Sequence, residues 1–278
     1  MTAPAEEESF WRSPRLRIAL FYRLIRPESP RTFVVVLHGF GEHGGRHLPM
    51  ARWLAQQGVA VAIPDLPGHG RSGGARGDFG SLRTCVEELA AAARARWMPQ
   101  AGHQPCHLFG HSFGGVLAIE WLLYQPEDLR RAVIQCPLLE VAFPIPGWKR
   151  WAGEVLGRWW PTARLPIDID ARNLSHDPVV TETYRKDPLV HNAMSGRTYR
   201  DLLRASAEAL ERAGDIRTPV LLLCAGEDRV VSTPVARQWF AAVHSEKQER
   251  VFPGAFHELH HEAVRQEAWQ RVLQWITT

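Results

Sequence analysis

The chain has 278 residues, 45% of them hydrophobic and 23% charged, with a formal net charge of +3. That composition excludes a disordered chain, and basic residues spread without a lysine tract or arginine stripe argue against nucleic-acid binding. The acidic opening MTAPAEEESFW lacks the apolar core of a secretory signal, and no window approaches the roughly 18 apolar residues of a membrane span.

In chain order, the alternating stretch LRIALFYRLI (16–25) predicts an antiparallel strand at a sheet edge. TFVVVLH (32–38) and VAVAIPD (59–65) are continuous apolar runs, the pattern of strands buried on both faces. Between them RHLPMARWLAQQG (46–58) has helical spacing and closes on Gly58. SLRTCVEELAAAARARW (81–97) is a second helix. CHLFGHS (106–112), a third buried strand, runs directly into the helix SFGGVLAIEWLLYQ (112–125). RAVIQCP (131–137) and PVLLLCAG (219–226) are further strands, and TPVARQWFAAVH (233–244) a further helix, before a last short strand and a terminal helix. Buried strands alternating with helices predict a mostly parallel, doubly wound α/β sheet flanked by helices.

The four cysteines, Cys85, Cys106, Cys136 and Cys224, form no CxxC pair, and three lie in the apolar runs. Reduced buried thiols and a cytoplasmic setting are expected, without disulfide or zinc.

One stretch breaks the rhythm. Residues 138–212 hold no strand-like run but many prolines and tryptophans, and predict a cap over the carboxyl edge of a core formed by 1–137 and 213–278. At helical spacing Trp148, Trp151, Val155 and Trp159 share a face, with Lys149, Arg150 and Arg158 elsewhere. That face is either the cap's own core or a surface that rests on lipid.

Ser112, between the third strand and its helix, either caps the helix or is a nucleophile raised on a tight turn. Ligands gather at the carboxyl ends of parallel strands, where this serine falls. An acid and a histidine follow in order: Asp228 in AGEDRVV, just past the 219–226 strand, and His257 in VFPGAFHELHHE. A serine needs a base, and the base needs a carboxylate to set its tautomer, so Ser112, Asp228 and His257 are the expected triad. Asp65, Asp215 and Glu227 are rival acids. His260 and His261 are expected to begin the final helix, His107 and His111 to be structural, and His38 to order the loop after its strand. That loop, HGFGEHGGRH, offers the Phe40 N–H as one oxyanion donor, and the Phe113 N–H is the other.

Together HGFGEHGGRH, DLPGHGRSGG, GHSFGG, HDPVVTETYRKDPLVH, AGEDRVV and GAFHELHHE resemble the monoacylglycerol lipase and lysophospholipase group of α/β-hydrolases, from about residue 12 to the C-terminus. The resemblance implies the α/β-hydrolase fold and places the group's serine, aspartate, histidine and oxyanion positions on Ser112, Asp228, His257, Phe40 and Phe113. Phe40 stands where a small residue is common, which implies a narrower acyl pocket. The group's head-group positions fall on Glu42, Arg46 and His260. The implied activity is hydrolysis of single-chain lipid esters, foremost monoacylglycerol, through an acyl-enzyme, with no metal or organic cofactor. Lysophospholipase, general carboxylesterase or a prolyl-type aminopeptidase are the alternatives, the last needing a cap acid such as Glu154 or Asp187. The expected partner is a small lipid ester, with transient contact to lipid aggregates through Trp148, Trp151 and Trp159.

Overall fold

The described residues form ten strands: β1 (Ala5–Ser13), β2 (Ile18–Arg26), β3 (Thr32–Leu37), β4 (Val59–Pro64), β5 (Cys106–His111), β6 (Leu129–Gln135), β7 (Arg164–Pro166), β8 (Ala193–Ser195), β9 (Val220–Ala225) and β10 (Lys247–Phe252). Eight of them form one sheet in the order β1-β2-β4-β3-β5-β6-β9-β10. From β4 across to β10 every pairing is parallel, and β2 and β1 pair antiparallel at one side. The structure is a computed structural model, described here for residues 3–278 apart from 125, 126, 128, 145, 146, 148–154, 156 and 168. Trp148, Trp151 and Glu154 lie outside the described residues.

The pleat sorts the apolar runs onto two faces. Phe33, Val35 and Leu37 of β3 point into one hydrophobic layer, and Val34 and Val36 into the other. Helices α2 (Leu82–Ala92), α3 (Phe113–Tyr124) and α6 (Thr233–Ala242) close the first layer; α1 (Leu48–Gln56) and the C-terminal helix (Arg265–Thr277) close the second. Helix α3 is apolar nearly all round because it is buried between the sheet and other helices. Its one buried acid, Glu120, is paired with Arg83 at 2.8 Å and Arg204 at 3.1 Å.

Three features differ from the sequence expectations. The edge strand is β1, and the 16–25 stretch lies second, between β1 and β4. The acids that disguise β1 are paired: Glu6 with Arg52 at 2.6 Å, Glu8 with Arg71 at 2.6 Å and Arg23 at 3.1 Å. Second, the 138–212 stretch does contain strands, β7 and β8, which pair antiparallel as a separate two-stranded ribbon. The same stretch holds α4 (Pro178–Lys186) and α5 (Gly196–Glu211); α5 sends Leu202, Ala205 and Ala209 into the layer that holds α3. Third, His260 and His261 precede the terminal helix, in the turn between His257 and Arg265.

Candidate active site

Ser112 is the single residue between β5 and α3, held at φ 54°, in the left-handed region. A non-glycine residue there is strained, and the surroundings over-determine it. Its N–H donates to Gln135 O at 3.0 Å, and its carbonyl accepts from Gly115 N at 2.9 Å and Leu138 N at 3.0 Å. The flanking glycines permit the close approach: a Cβ on Gly110 would sit 2.4 Å from Gly114 O, and one on Gly114 would sit 2.3 Å from Leu37 O. The local sequence therefore makes a sharp corner that presents the serine at the carboxyl edge.

Asp228 lies three residues past β9, and His257 five past β10, on the neighbouring loop. His257 Nδ1 and Asp228 Oδ2 are 2.8 Å apart, and both side chains are closed from solvent. The other carboxylate oxygen, Oδ1, accepts from Val230 N and Val231 N, both at 2.9 Å. Burial disfavours the imidazolium, but the adjacent Asp228 charge and its hydrogen bond outweigh that and raise the His257 pKa above 6.5. For Asp228, burial pushes upward and is overcome by His257 and the two amides, so its pKa is lowered.

The loop after β3 is built around two side chains. His38 Nε2 accepts from Leu66 N at 2.9 Å, so Nδ1 carries the proton and donates to Gly39 O at 2.7 Å. Burial, the largest influence, pushes His38 down to about 4, which keeps it neutral. Glu42 Oε1 accepts from Gly39 N at 2.6 Å and so fixes the chain just before Phe40. Gly41 has φ 77°, and a Cβ there would meet His191 O at 2.4 Å. That approach lets His191 N donate to Gly41 O at 2.8 Å, pinning the 138–212 stretch to this loop. Phe113 is the first residue of α3, so its N–H has no carbonyl within the helix to reach.

These elements meet around a cavity of about 20 Å³, whose wall includes Phe40, Glu42, Ser112, Tyr184, His257 and Glu258. Glu42 is thus on the wall, whereas Arg46 and His260 stand behind it. Arg46 Nε donates to Glu42 Oε2 at 3.0 Å and Nη2 to Glu258 Oε2 at 2.5 Å, with the guanidinium 4.8 Å from the Tyr184 ring. Burial raises the Glu258 pKa, but the Arg46 charge and the His261 hydrogen bond bring it down to about 2. His260 Nδ1 faces Gln135 Nε2 at 2.8 Å, and its ring stacks on His47 at 4.4 Å. His111 also meets this amide, at 3.1 Å, so one Gln135 amide group donates to both imidazoles and sets both as Nε2–H tautomers. Trp159 and its neighbour Trp160 are 68% and 65% exposed.

The structure thus gathers Ser112, Asp228, His257, Phe40 and Glu42 at one site. Glu258 and Tyr184 are wall residues that the sequence reading missed. Each had a signal: Glu258 directly follows His257, and Tyr184 sits inside the HDPVVTETYRKDPLVH motif. Among the rival acids, Asp65 is used by the fold, accepting from Gly44 N and Arg71 N, each at 2.8 Å.

Residues 28–264 match the family model described as serine aminopeptidase, S33. An uncharacterized abhydrolase domain-containing protein of Dictyostelium discoideum is 30% identical over 89% of this chain, which spans 26% of that protein. The phospholipase YtpA of Bacillus subtilis is 27% identical, over 88% of this chain and 95% of its own length. The monoacylglycerol lipase of Mycolicibacterium smegmatis is 28% identical, over 94% of both chains. The crystal structure of Paleococcus ferrophilus monoacylglycerol lipase superposes with a TM-score of 0.84 at 28% identity, covering 92% of this chain and 98% of that one.

Proposed function

Because the chain belongs to the S33 serine aminopeptidase family of α/β-hydrolases, we propose that it is a serine hydrolase of single-acyl-chain lipid esters, foremost monoacylglycerol. The observation that carries the reading is the Asp228–His257 hydrogen bond at 2.8 Å beside the strained Ser112 corner. Asp228 holds the Nδ1 proton, leaving His257 Nε2 free to take the proton of Ser112 as its oxygen attacks the ester carbonyl. The Phe40 and Phe113 amides receive the oxyanion. His257 then returns the proton to the departing alcohol, and a water activated by the same nitrogen hydrolyses the acyl-enzyme.

The head group is argued from the wall. Two carboxylates, Glu42 and Glu258, face the cavity, with Arg46 pairing with both from behind and His261 pairing with Glu258, so the wall offers the substrate acceptor oxygens. Glycerol hydroxyls can donate to such carboxylates, whereas the oxygens of a phosphodiester have no proton to give them. Both Glu42 oxygens are engaged, Oε1 by Gly39 and His47 and Oε2 by Arg46, whereas at Glu258 both Arg46 and His261 meet Oε2, so the head-group contact falls chiefly to Glu258 Oε1. An aminopeptidase reading needs a free acid for the substrate amine, but Asp187 is bound to His43 at 2.8 Å. The exposed Trp159 and Trp160 support docking on lipid aggregates.

A panel of 1-monoacylglycerol, lysophosphatidylcholine, p-nitrophenyl esters and proline anilide tests the reading. The expected order of kcat/KM puts monoacylglycerol above lysophosphatidylcholine at equal chain length, with no turnover of the anilide. Preference for the phospholipid, as the name of the Bacillus relative suggests for that protein, would overturn the head-group argument.

A further inference from the structure

Among the described residues, one group of ligand-type atoms lies on the proposed triad itself. Cys136 Sγ, an Asp228 carboxylate oxygen and a His257 ring nitrogen all fall within 4.8 Å of one another. Cys136 leaves β6 at φ 43°, and its N–H donates to Leu223 O at 2.9 Å, so the backbone sets where the sulfur stands. The acyl-transfer chemistry makes no use of that sulfur. An aspartate–histidine pair offers a cation two ligands. Cys136 adds a third, soft one, completing a thiolate, imidazole and carboxylate set that suits Zn²⁺ or Cd²⁺ with one position left for water. The other such cluster, Glu258, His260 and His261, already has its carboxylate engaged by Arg46 Nη2 at 2.5 Å.

We propose that Cys136, Asp228 and His257 form an inhibitory binding site for a zinc-type cation. Binding places the metal between Sγ, one Asp228 oxygen and His257 Nδ1, and the thiol proton leaves to solvent. The Nδ1 proton moves to Nε2, the atom that must be empty to receive the Ser112 proton. The metal therefore locks the imidazole in the wrong tautomer and takes its carboxylate partner at the same time. Metal–ligand bonds of about 2.0–2.3 Å set neighbouring ligand atoms roughly 3.3–3.8 Å apart. The 2.8 Å contact of His257 with Asp228 thus opens by less than about 1 Å. The inhibitory consequence rests on His257 being the base of the proposed mechanism; the binding does not.

Two measurements keep binding and inhibition separate. Titrating Cd²⁺ into the Ser112→Ala protein is expected to produce thiolate-to-cadmium absorption in the ultraviolet, reversed by EDTA and lost in the Ser112→Ala, Asp228→Asn double variant. Zn²⁺ and Cd²⁺ are expected to inhibit p-nitrophenyl ester hydrolysis by the wild type. Cys136→Ser is expected to retain turnover while needing at least tenfold more metal for half-inhibition. Equal metal sensitivity in Cys136→Ser, or no cadmium–thiolate absorption, would overturn the proposal. Absorption without inhibition would overturn the inhibitory role. Should Cys136→Ser fail to fold, the absorption pair still decides the site.

Discussion

The two edges of the sheet carry opposite kinds of hollow. At the amino edge an open bowl of about 760 Å³ is lined by Arg31, Arg130, Arg131, His107, Leu273 and Ile276, among others. At the carboxyl edge the hollow beside Ser112 is about 20 Å³. The larger holds mostly guanidinium donors. Its histidine is pushed down to about 4, first by burial and then by the Arg131 and Arg130 charges. The smaller holds a serine, an oriented imidazole and paired carboxylates. Volume follows from where strands and helices happen to splay apart; chemistry follows from where buried polar groups are forced together and mutually oriented, which costs free energy that packing elsewhere must offset.

The contrast breaks most sharply at Ser112. Ser112→Ala is expected to lower kcat by roughly a thousandfold or more, with little change in Tm, and to abolish labelling by a fluorophosphonate probe. Arg131→Ala, at the opposite edge, is expected to leave kcat within about twofold, because nothing there touches the reacting atoms. Comparable losses would show that the bowl takes part in turnover. Asp228→Asn should cost nearly as much as Ser112→Ala, since it leaves His257 without the partner that sets its tautomer. In the wild type the raised His257 pKa is expected to put the acid limb of kcat/KM above pH 6.5, with activity rising as the proton leaves the proposed base. Weakening the Asp228 charge removes the stabilisation of the imidazolium, so any residual activity of Asp228→Asn should show its limb shifted to lower pH. An unshifted limb would mean that another group titrates.

The carboxyl edge was legible in the sequence for a physical reason. A strand, a tight corner and a helix require residues that leave marks, such as Gly110 and Gly114, where a Cβ would collide with backbone carbonyls. The buried strands were legible too, because a parallel sheet covered on both faces admits only continuous apolar runs. What escaped was set by pairing across distance. The acids of β1 read as solvated until Arg52, Arg71 and Arg23 are brought to them from other elements. Helix α5 lies in the stretch read as cap and packs beside α3, since a helical pattern does not say which neighbour its apolar face meets. Similarly, Glu42, Arg46 and His260 were grouped by resemblance, and only the fold separates the wall residue from the two behind it.

Two carboxylates of the smaller hollow can be told apart by the substrate each affects. Glu258→Gln is expected to lower kcat/KM for 1-monoacylglycerol by about 1 kcal/mol, the scale of one buried hydrogen bond, while sparing a p-nitrophenyl ester of equal chain length. Glu42→Gln loosens the Gly39 amide and hence the loop that presents Phe40, so it should lower both substrates in parallel. The reverse pattern would return the head-group role to Glu42. Since each change leaves Arg46 one carboxylate partner, Tm should fall less than on losing both.

The smallest effect concerns how substrate reaches the carboxyl edge. Trp159 and Trp160 have most of their surface in water, and Arg158 lies 5.9 Å from the Trp159 ring. Burying indole surface in a lipid interface is favourable by roughly 25 cal/mol per Å² removed from water, and a neighbouring cation adds attraction to anionic lipid. Neither ring lines the cavity beside Ser112, so neither should alter the chemical step. Trp159→Ala with Trp160→Ala is therefore expected to lower turnover of long-chain monoacylglycerol presented on anionic vesicles severalfold, and to leave a short, soluble p-nitrophenyl ester unchanged. A loss shared by both substrates, with a lowered Tm, would instead assign the tryptophans to packing of the 138–212 stretch. No loss on either would remove them from substrate capture and place the point of entry elsewhere on the rim.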